Sequence, residues 1–342
     1  KKTSFKSVSN LYLPKQIELC ELHDGHGIIP GLKDESNNWE LSGHLERIIL
    51  INSQVLSLFA KIYDEKGTPF IEARLPALHS RQLLSALEKF ANQPKQLGNL
   101  KGEYISMEMW HETGAQKDHT IKRHTQFPDS YKQWVLSGPH FFIGNPLSKT
   151  PRKTCNTHLD YDVIDLTRIS DDYLPRTNYI PDCEQVDYLR RTPKVSWIES
   201  LETNARPVTD YYRFISRAMI SIGAERGLVS CVIPKNSGHI NSVRSYCFKK
   251  EQLLISFSSF AFSVVFDFMI KLSGRNNLHR SLEDYSFNDE TVFQESLNNL
   301  VLSLTCLTAS YAELWENNWL LHMGKHRWAK NNRRLNNVFF KN

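Results

Sequence analysis

The sequence predicts an α+β protein: a small helical connector followed by a mixed α/β region with long loops. Three observations predict it. Apolar residues recur at helical spacing in two segments before residue 100, the chain from Tyr104 onward breaks into short β-prone runs separated by long loops, and helical spacing returns near residue 300. At 342 residues the chain has room for two domains, each able to bury its own core. The change of pattern divides it into residues 1–100 and 101–342. No tandem repeat or low-complexity tract is visible.

Residues 1–44 carry turn signals such as Asp24-Gly25, Pro30-Gly31 and Asn37-Asn38 and few apolar runs, so they read as connection more than domain. Arg47 to Ile51 reads as a short strand. Ser53 then caps a helix to about Tyr63, whose Val55, Leu56, Phe59 and Ile62 share a face. A second helix starts near Ser80, carries Leu83, Leu84, Leu87 and Phe90 on one side, and stops at Pro94, which has no N–H to offer the ladder. Tyr104 to Trp110, Trp134 to Ile143 and Asp162 to Leu166 read as β segments. Asp210 to Ile222 reads as a helix, and Leu228 to Ile233 and Val243 to Phe248 as strands. Thr291 to Trp315 closes the pattern as a long helix with Leu297, Leu300, Val301, Leu304 and Leu307 in register.

Leu253 to Ile270 has the length of a membrane span, but Ser256, Ser258, Ser259, Ser263 and Asp267 interrupt it. A buried helix or helix–strand pair is expected there, and no membrane partner. The six cysteines, Cys20, Cys155, Cys183, Cys231, Cys247 and Cys306, show no repeated spacing, which argues against a disulfide framework and for a reduced cytoplasm. Cys155-Asn-Thr-His158 with Cys183 downstream is the nearest approach to a metal pattern, and ordinary loop and core roles account for it, so no metal is expected. No signal peptide opens the chain, which starts at Lys1-Lys2 without an initiator methionine and reads as a fragment or a processed piece.

Forty-two basic against 37 acidic residues give a net charge of +5, which fits many proteins; the distribution says more. Between Lys117 and Lys153 seven basic residues face only Asp118 and Asp129, with His119, His124 and His140 among them. From His322 to Asn342 the chain carries Lys325, Arg327, Lys330, Arg333, Arg334 and Lys341 with no carboxylate, interleaved with Trp328, Phe339 and Phe340. Such stretches suit phosphate neutralisation and base stacking, and a solvated basic surface is the plainer alternative. Lys149, Arg152 and Lys153 follow an apolar strand, where long cations reach a groove, and Arg152 has the fork that fits guanine O6 and N7. Arg176 and Asn178, within Tyr-Leu-Pro-Arg-Thr-Asn-Tyr, suit base reading or a self-bonded loop. Arg190 and Arg191 suit phosphates. His239 lies near a loop tip and suits either role.

The apolar run ending in Gly144-Asn145-Pro146 is similar to the way DNA N6-adenine methyltransferases deliver a catalytic Asn-Pro-Pro-aromatic tetrapeptide. In that tetrapeptide the Asn accepts from the adenine amino group and the aromatic stacks on the flipped base. Here it reads Asn145-Pro146-Leu147-Ser148, and Ser148 cannot stack. The cofactor turn such enzymes need is also incomplete, since Gly25-His26-Gly27 is followed by Pro30 where a third glycine would fall. Gly223, Gly227 and Gly274 suit turns or helix ends better. No catalytic residue is therefore assigned.

With those residues in view, SGPHFFIGNPLSKTPR, YDVIDLTRISDDYLPRTNYIP, TDYYRFISRAMISIGAERGLVSCVIPKNSGHI and LTCLTASYAELW together resemble the C-terminal, target-recognition part of bacterial restriction-modification-type DNA N6-adenine methyltransferases of the single-chain type II kind. The likeness covers most of residues 40–320. It implies that residues 101–342 form a DNA target-recognition domain acting on double-stranded DNA, with a catalytic methyltransferase domain in the same or a partner chain. It also implies that S-adenosylmethionine binds there and that this chain holds no cofactor. On this reading Lys149, Lys153, Arg190 and Arg191 anchor phosphates, and Arg152, Arg176 and Asn178 reach base edges. A protein-interaction subunit of a phage-defence complex, and a self-contained enzyme using His140 with the Asn145-Pro146 turn, are the alternatives.

Overall fold

A short apolar strand followed by an amphipathic helix, the pattern of Ile49 to Tyr63, is the nucleus of the first of two units. The structure is a computed structural model that describes residues 4–93, 95–221, 223–278, 282–287 and 291–325. The first unit takes Lys1–Leu97, Phe268–Arg275 and Leu282–Phe287. In it β1 (Ser4–Ser7) leads to α1 (Pro14–Leu22) and pairs antiparallel with β2 (Ile49–Asn52), Phe5 opposite Ile51. The opening residues thus hold a strand and a helix where turn signals had suggested connection alone. The cap of α2 (Ser53–Tyr63) lies one residue earlier than expected: the Asn52 side-chain oxygen, not Ser53, accepts the Val55 N–H at 3.0 Å. Leu56, Phe59, Ala60 and Tyr63 form its buried face, and α3 (Gln82–Ala91) buries Leu87 and Phe90. Pro94, the expected stop, lies outside the described residues.

The second unit takes Gly98–Asp267, Asn276–Ser281 and Asn288–Asn342. Its elements run β3 (Tyr104–Met107), α4 (Glu112–Lys117), β4 (Ile121–Gln126), β5 (Val135–Leu136), β6 (Lys149–Pro151), β7 (Tyr161–Val163), β8 (Thr177–Pro181), α5 (Gln185–Arg191), β9 (Arg213–Arg217), β10 (Ser230–Ile233), β11 (Gly238–His239) and β12 (Val243–Phe248). The helices α6 (Glu251–Ala261), α7 (Val264–Leu272), α8 (Gln294–Thr305) and α9 (Ala312–Asn318) follow, the residues of α7 from Phe268 onward belonging to the first unit. One antiparallel sheet has the order β10-β9-β12-β3; a mixed sheet has the order β11-β5-β8-β4, with β11 parallel to β5; β6 and β7 form a separate hairpin. The fold is α+β.

The core explains the order of the sheets. Trp134 and Leu136 from around β5 pack with Ile215 of β9, Cys231 and Ile233 of β10 and Val243 of β12, so one apolar cluster joins the two sheets. A second cluster, with Ile121, Val135, Tyr179 and Tyr188, seals α4 and α5 onto the mixed sheet. Gly238 is required by this packing: a Cβ there would lie 2.6 Å from the Tyr188 hydroxyl, which receives the Trp110 indole N–H at 3.0 Å.

Three sequence expectations are corrected here. The helix expected over Asp210 to Ile222 is not formed by the described residues, 210–221; they contain β9, a central strand with Arg213 to Ser216 all buried, and burial on both faces removes the period-2 signature by which a strand is read. The expected strand from Trp134 to Ile143 shrinks to Val135–Leu136, because Gly138-Pro139 opens a single 3-10 turn (Gly138–His140). The closing helix is two, α8 and α9, separated by Cys306 to Tyr311. Among the described residues no single helix is long and apolar enough to cross a membrane; α6 and α7 together reach the length but meet at a 68° bend.

Candidate nucleic-acid interface

β4 is the outer strand of the mixed sheet, paired to β8 on one side only, and reads Ile-Lys-Arg-His-Thr-Gln. Ile121 is fully buried, while Lys122, Arg123 and His124 are exposed. A charged edge is a usual way for a sheet to avoid unwanted pairing, and here it also aligns cations along one rim. The Arg123 guanidinium donates to the carbonyls of Cys155 at 3.0 Å and Asn156 at 3.4 Å, which ties the β6–β7 loop to β4. Thr125 donates its hydroxyl to the Asn178 side-chain oxygen at 2.9 Å, and the Asn178 amide donates to the Tyr161 hydroxyl at 2.9 Å. Strand, hairpin and β8 therefore form one block.

On that block the structure brings together several of the residues singled out from sequence. Arg152 and Lys153 are exposed in the hairpin loop. Arg152 donates Nε to Asp162 at 2.9 Å, a surface pair that raises the guanidinium pKa further and engages one of its five N–H donors. Arg176 sits just before β8, half-buried, with its guanidinium 4.3 Å from the centre of the exposed Phe127 ring and donating to the Pro151 carbonyl at 3.4 Å. Arg190 and Arg191 lie on α5. Arg191 donates to the Asp118 carbonyl at 2.7 Å and the Thr120 hydroxyl at 2.8 Å, which fixes it at the start of β4, whereas Arg190 pairs with Asp187 one turn back. From Ile121 to Gln126 the strand spans about 17 Å, so Arg191 and Arg176 mark the two ends of a basic rim.

Two assigned residues lie in β6 and β8 of the same block and are less exposed. Asn178 is only 5 % exposed, and its amide and oxygen are taken up by Tyr161, Cys155 and Thr125, so its edge does not face outward. Lys149 is half-buried, and burial together with the neighbouring Arg217 guanidinium lowers its pKa. The acidic neighbours of the rim are engaged. Hydrogen bonds from His119 and Lys122 hold Asp182 below the ordinary carboxylate range, and the backbone and hydroxyl of Thr157 do the same for Asp160. The residues that sequence reasoning did not single out are Lys122, Arg123 and Phe127. Thr120 and Ile121 are buried and Lys122 to His124 are all exposed, so this strand shows no alternation for sequence reasoning to read.

The groups that would serve catalysis are internal. The Asn145 amide donates to the Leu304 carbonyl at 2.9 Å and its oxygen accepts the Leu147 N–H at 2.7 Å, so the Asn145-Pro146 step is a buried turn. His140 and His239 are fully buried, and burial pushes their pKa values down to about 4 and about 3. This places His239 in the core, against the Ser245 hydroxyl at 2.8 Å, and not at a loop tip. Gly25 and Gly27 lie, both with positive φ, in the loop between α1 and a 3-10 turn at Leu45–Arg47, which is not the strand-to-helix setting of a cofactor turn. Gly274, with φ +65°, ends α7. The basic segment from residue 326 onward lies outside the described residues. No protein-family model matches the chain, and no curated protein matches it significantly.

Proposed function

We propose that the second unit is the DNA target-recognition module of a site-specific adenine-N6 DNA methyltransferase from a restriction-modification or phage-defence system. The observation that carries this reading is the convergence of Lys122, Arg123, Arg152, Lys153 and Arg176 from three separate chain segments onto one block, where Lys122 pairs with Asp182 and Arg152 with Asp162. Phosphate anchoring falls to Lys122, Lys153, Arg190 and Arg191, which are exposed. Base edges fall to Arg152 and, at the end of the rim, Arg176. Lys149 and Asn178 support the block from within. Methyl transfer and S-adenosylmethionine belong to a catalytic domain in the same or a partner chain, and the six free cysteines suit a cytoplasmic setting.

Salt dependence tests the reading. Four phosphate contacts release condensed counterions, so the logarithm of the duplex binding constant should fall against the logarithm of salt concentration with a slope of about −3.6. Gel-shift titrations with the chain between about 50 and 200 mM salt measure it. A flat response, or no complex, overturns the reading and favours a protein-binding subunit of a defence complex.

A further inference from the structure

We propose that Phe127, backed by Arg176, is a wedge that enters a base step of the bound duplex and unstacks it; the inference rests on the DNA-recognition reading. The ring is 56 % exposed at the end of β4, one residue past Gln126, which pairs with Thr177 of β8. Isolated exposed apolar side chains are common on protein surfaces, and what distinguishes this one is how it is held. Pro128, directly after it, is buried and fixes the chain behind the ring. The Arg176 guanidinium is 4.3 Å from the ring centre, and Arg176 is itself held, its N–H by the Thr150 hydroxyl at 3.0 Å and its side chain by the Pro151 carbonyl at 3.4 Å. A supported ring loses little conformational freedom on insertion.

Cations elsewhere on the same block supply the rest of the chemistry. Lys122 stands on the same strand, and the loop carrying Lys153 is tied to that strand through Arg123. Cations that grip the backbone beside a protruding apolar ring are the arrangement by which proteins unstack a step and kink a duplex, the phosphate contacts offsetting the lost stacking. Arg176 in that position follows the wedge to the helix, where its remaining donors meet phosphate or a base edge. Phe127 would thereby contribute to specificity, because flexible pyrimidine–purine steps unstack at least cost.

The test uses the full chain and the duplex it recovers from a randomised library, with 2-aminopurine substituted in turn at each position and the ends labelled for energy transfer. Wild type should raise 2-aminopurine fluorescence at one step and shorten the end-to-end distance. Phe127→Ala should abolish both signals and weaken binding by about ten- to a hundredfold, with the salt slope unchanged, while Phe127→Trp should restore them. Steep salt dependence with no fluorescence rise at any position, or a rise that Phe127→Ala retains, overturns the wedge and leaves the recognition reading standing. No duplex complex at low salt removes the recognition reading and the wedge with it.

Discussion

Asn145 and Leu304 are 159 residues apart in sequence, and the Asn145 amide donates to the Leu304 carbonyl oxygen at 2.9 Å, joining the loop after β5 to the last turn of α8. The same loop places Gly144 at φ +81°, where a Cβ would lie 3.5 Å from the Leu304 side chain. Asn145→Ala leaves the Leu304 carbonyl and the Leu147 N–H without this partner. It should cost about 1–3 kcal/mol of stability in urea unfolding, with duplex affinity unchanged where the fold is intact. Loss of methylation in a longer enzyme with stability unaltered would instead make Asn145 a catalytic side chain.

Asn178 illustrates the same point on the proposed interface. Its amide group satisfies Tyr161, Cys155 and Thr125 together, so Asn178→Ala should destabilise the unit by about 1–3 kcal/mol and raise hydrogen exchange in the hairpin loop. The sequence preference of bound DNA should not change. A shifted preference with normal exchange would return Asn178 to the base readers.

How much of this was legible in the sequence depends on burial. β12 matches its expected span, Val243 to Phe248, and α2 matches Ser53 to Tyr63, because each carries a pattern that burial reinforces. β9 (Arg213–Arg217) reads from the sequence as part of a helix. Phe214 and Ile215 are both fully buried between β10 and β12, and tertiary contacts then decide helix against strand. The interface was half legible. Exposed Arg152 and Lys153 show in sequence as a basic loop, whereas the union of that loop with β4 depends on Arg123 reaching two backbone carbonyls more than 30 residues away, which no local pattern reports.

Acid should weaken the fold through two fully buried histidines, His140 and His239. Their folded pKa values, about 4 for His140 and about 3 for His239, lie below the unfolded value of about 6.5. Between those limits the unfolded chain binds more protons, so stability is complete above about pH 6.5 and falls as pH drops toward the folded values, by up to about 1.4 kcal/mol per pH unit for each histidine. Urea unfolding at a series of pH values measures the slope. His140→Gln should lower it by up to about 1.4 kcal/mol per pH unit, the contribution of one histidine, and a slope that stays the same would show that His140 binds its proton equally in the folded and unfolded protein.

Arg152 and Lys153 are adjacent, both exposed in the hairpin loop, yet their contacts should differ in what they distinguish. A guanidinium bidentate to guanine discriminates one base pair, whereas an ammonium on a phosphate meets every sequence alike. Asp162 engages only the Nε of Arg152, leaving the two terminal nitrogens to form the fork. Arg152→Ala should therefore weaken binding to the preferred site by roughly ten- to a hundredfold and flatten the preference across a randomised duplex library. Lys153→Ala should lower affinity for all sequences together and reduce the salt slope by about one unit. If Arg152→Ala leaves the recovered motif unchanged and only lowers affinity, the loop holds phosphates alone, and base reading must come from Arg176 at the other end of the hairpin block.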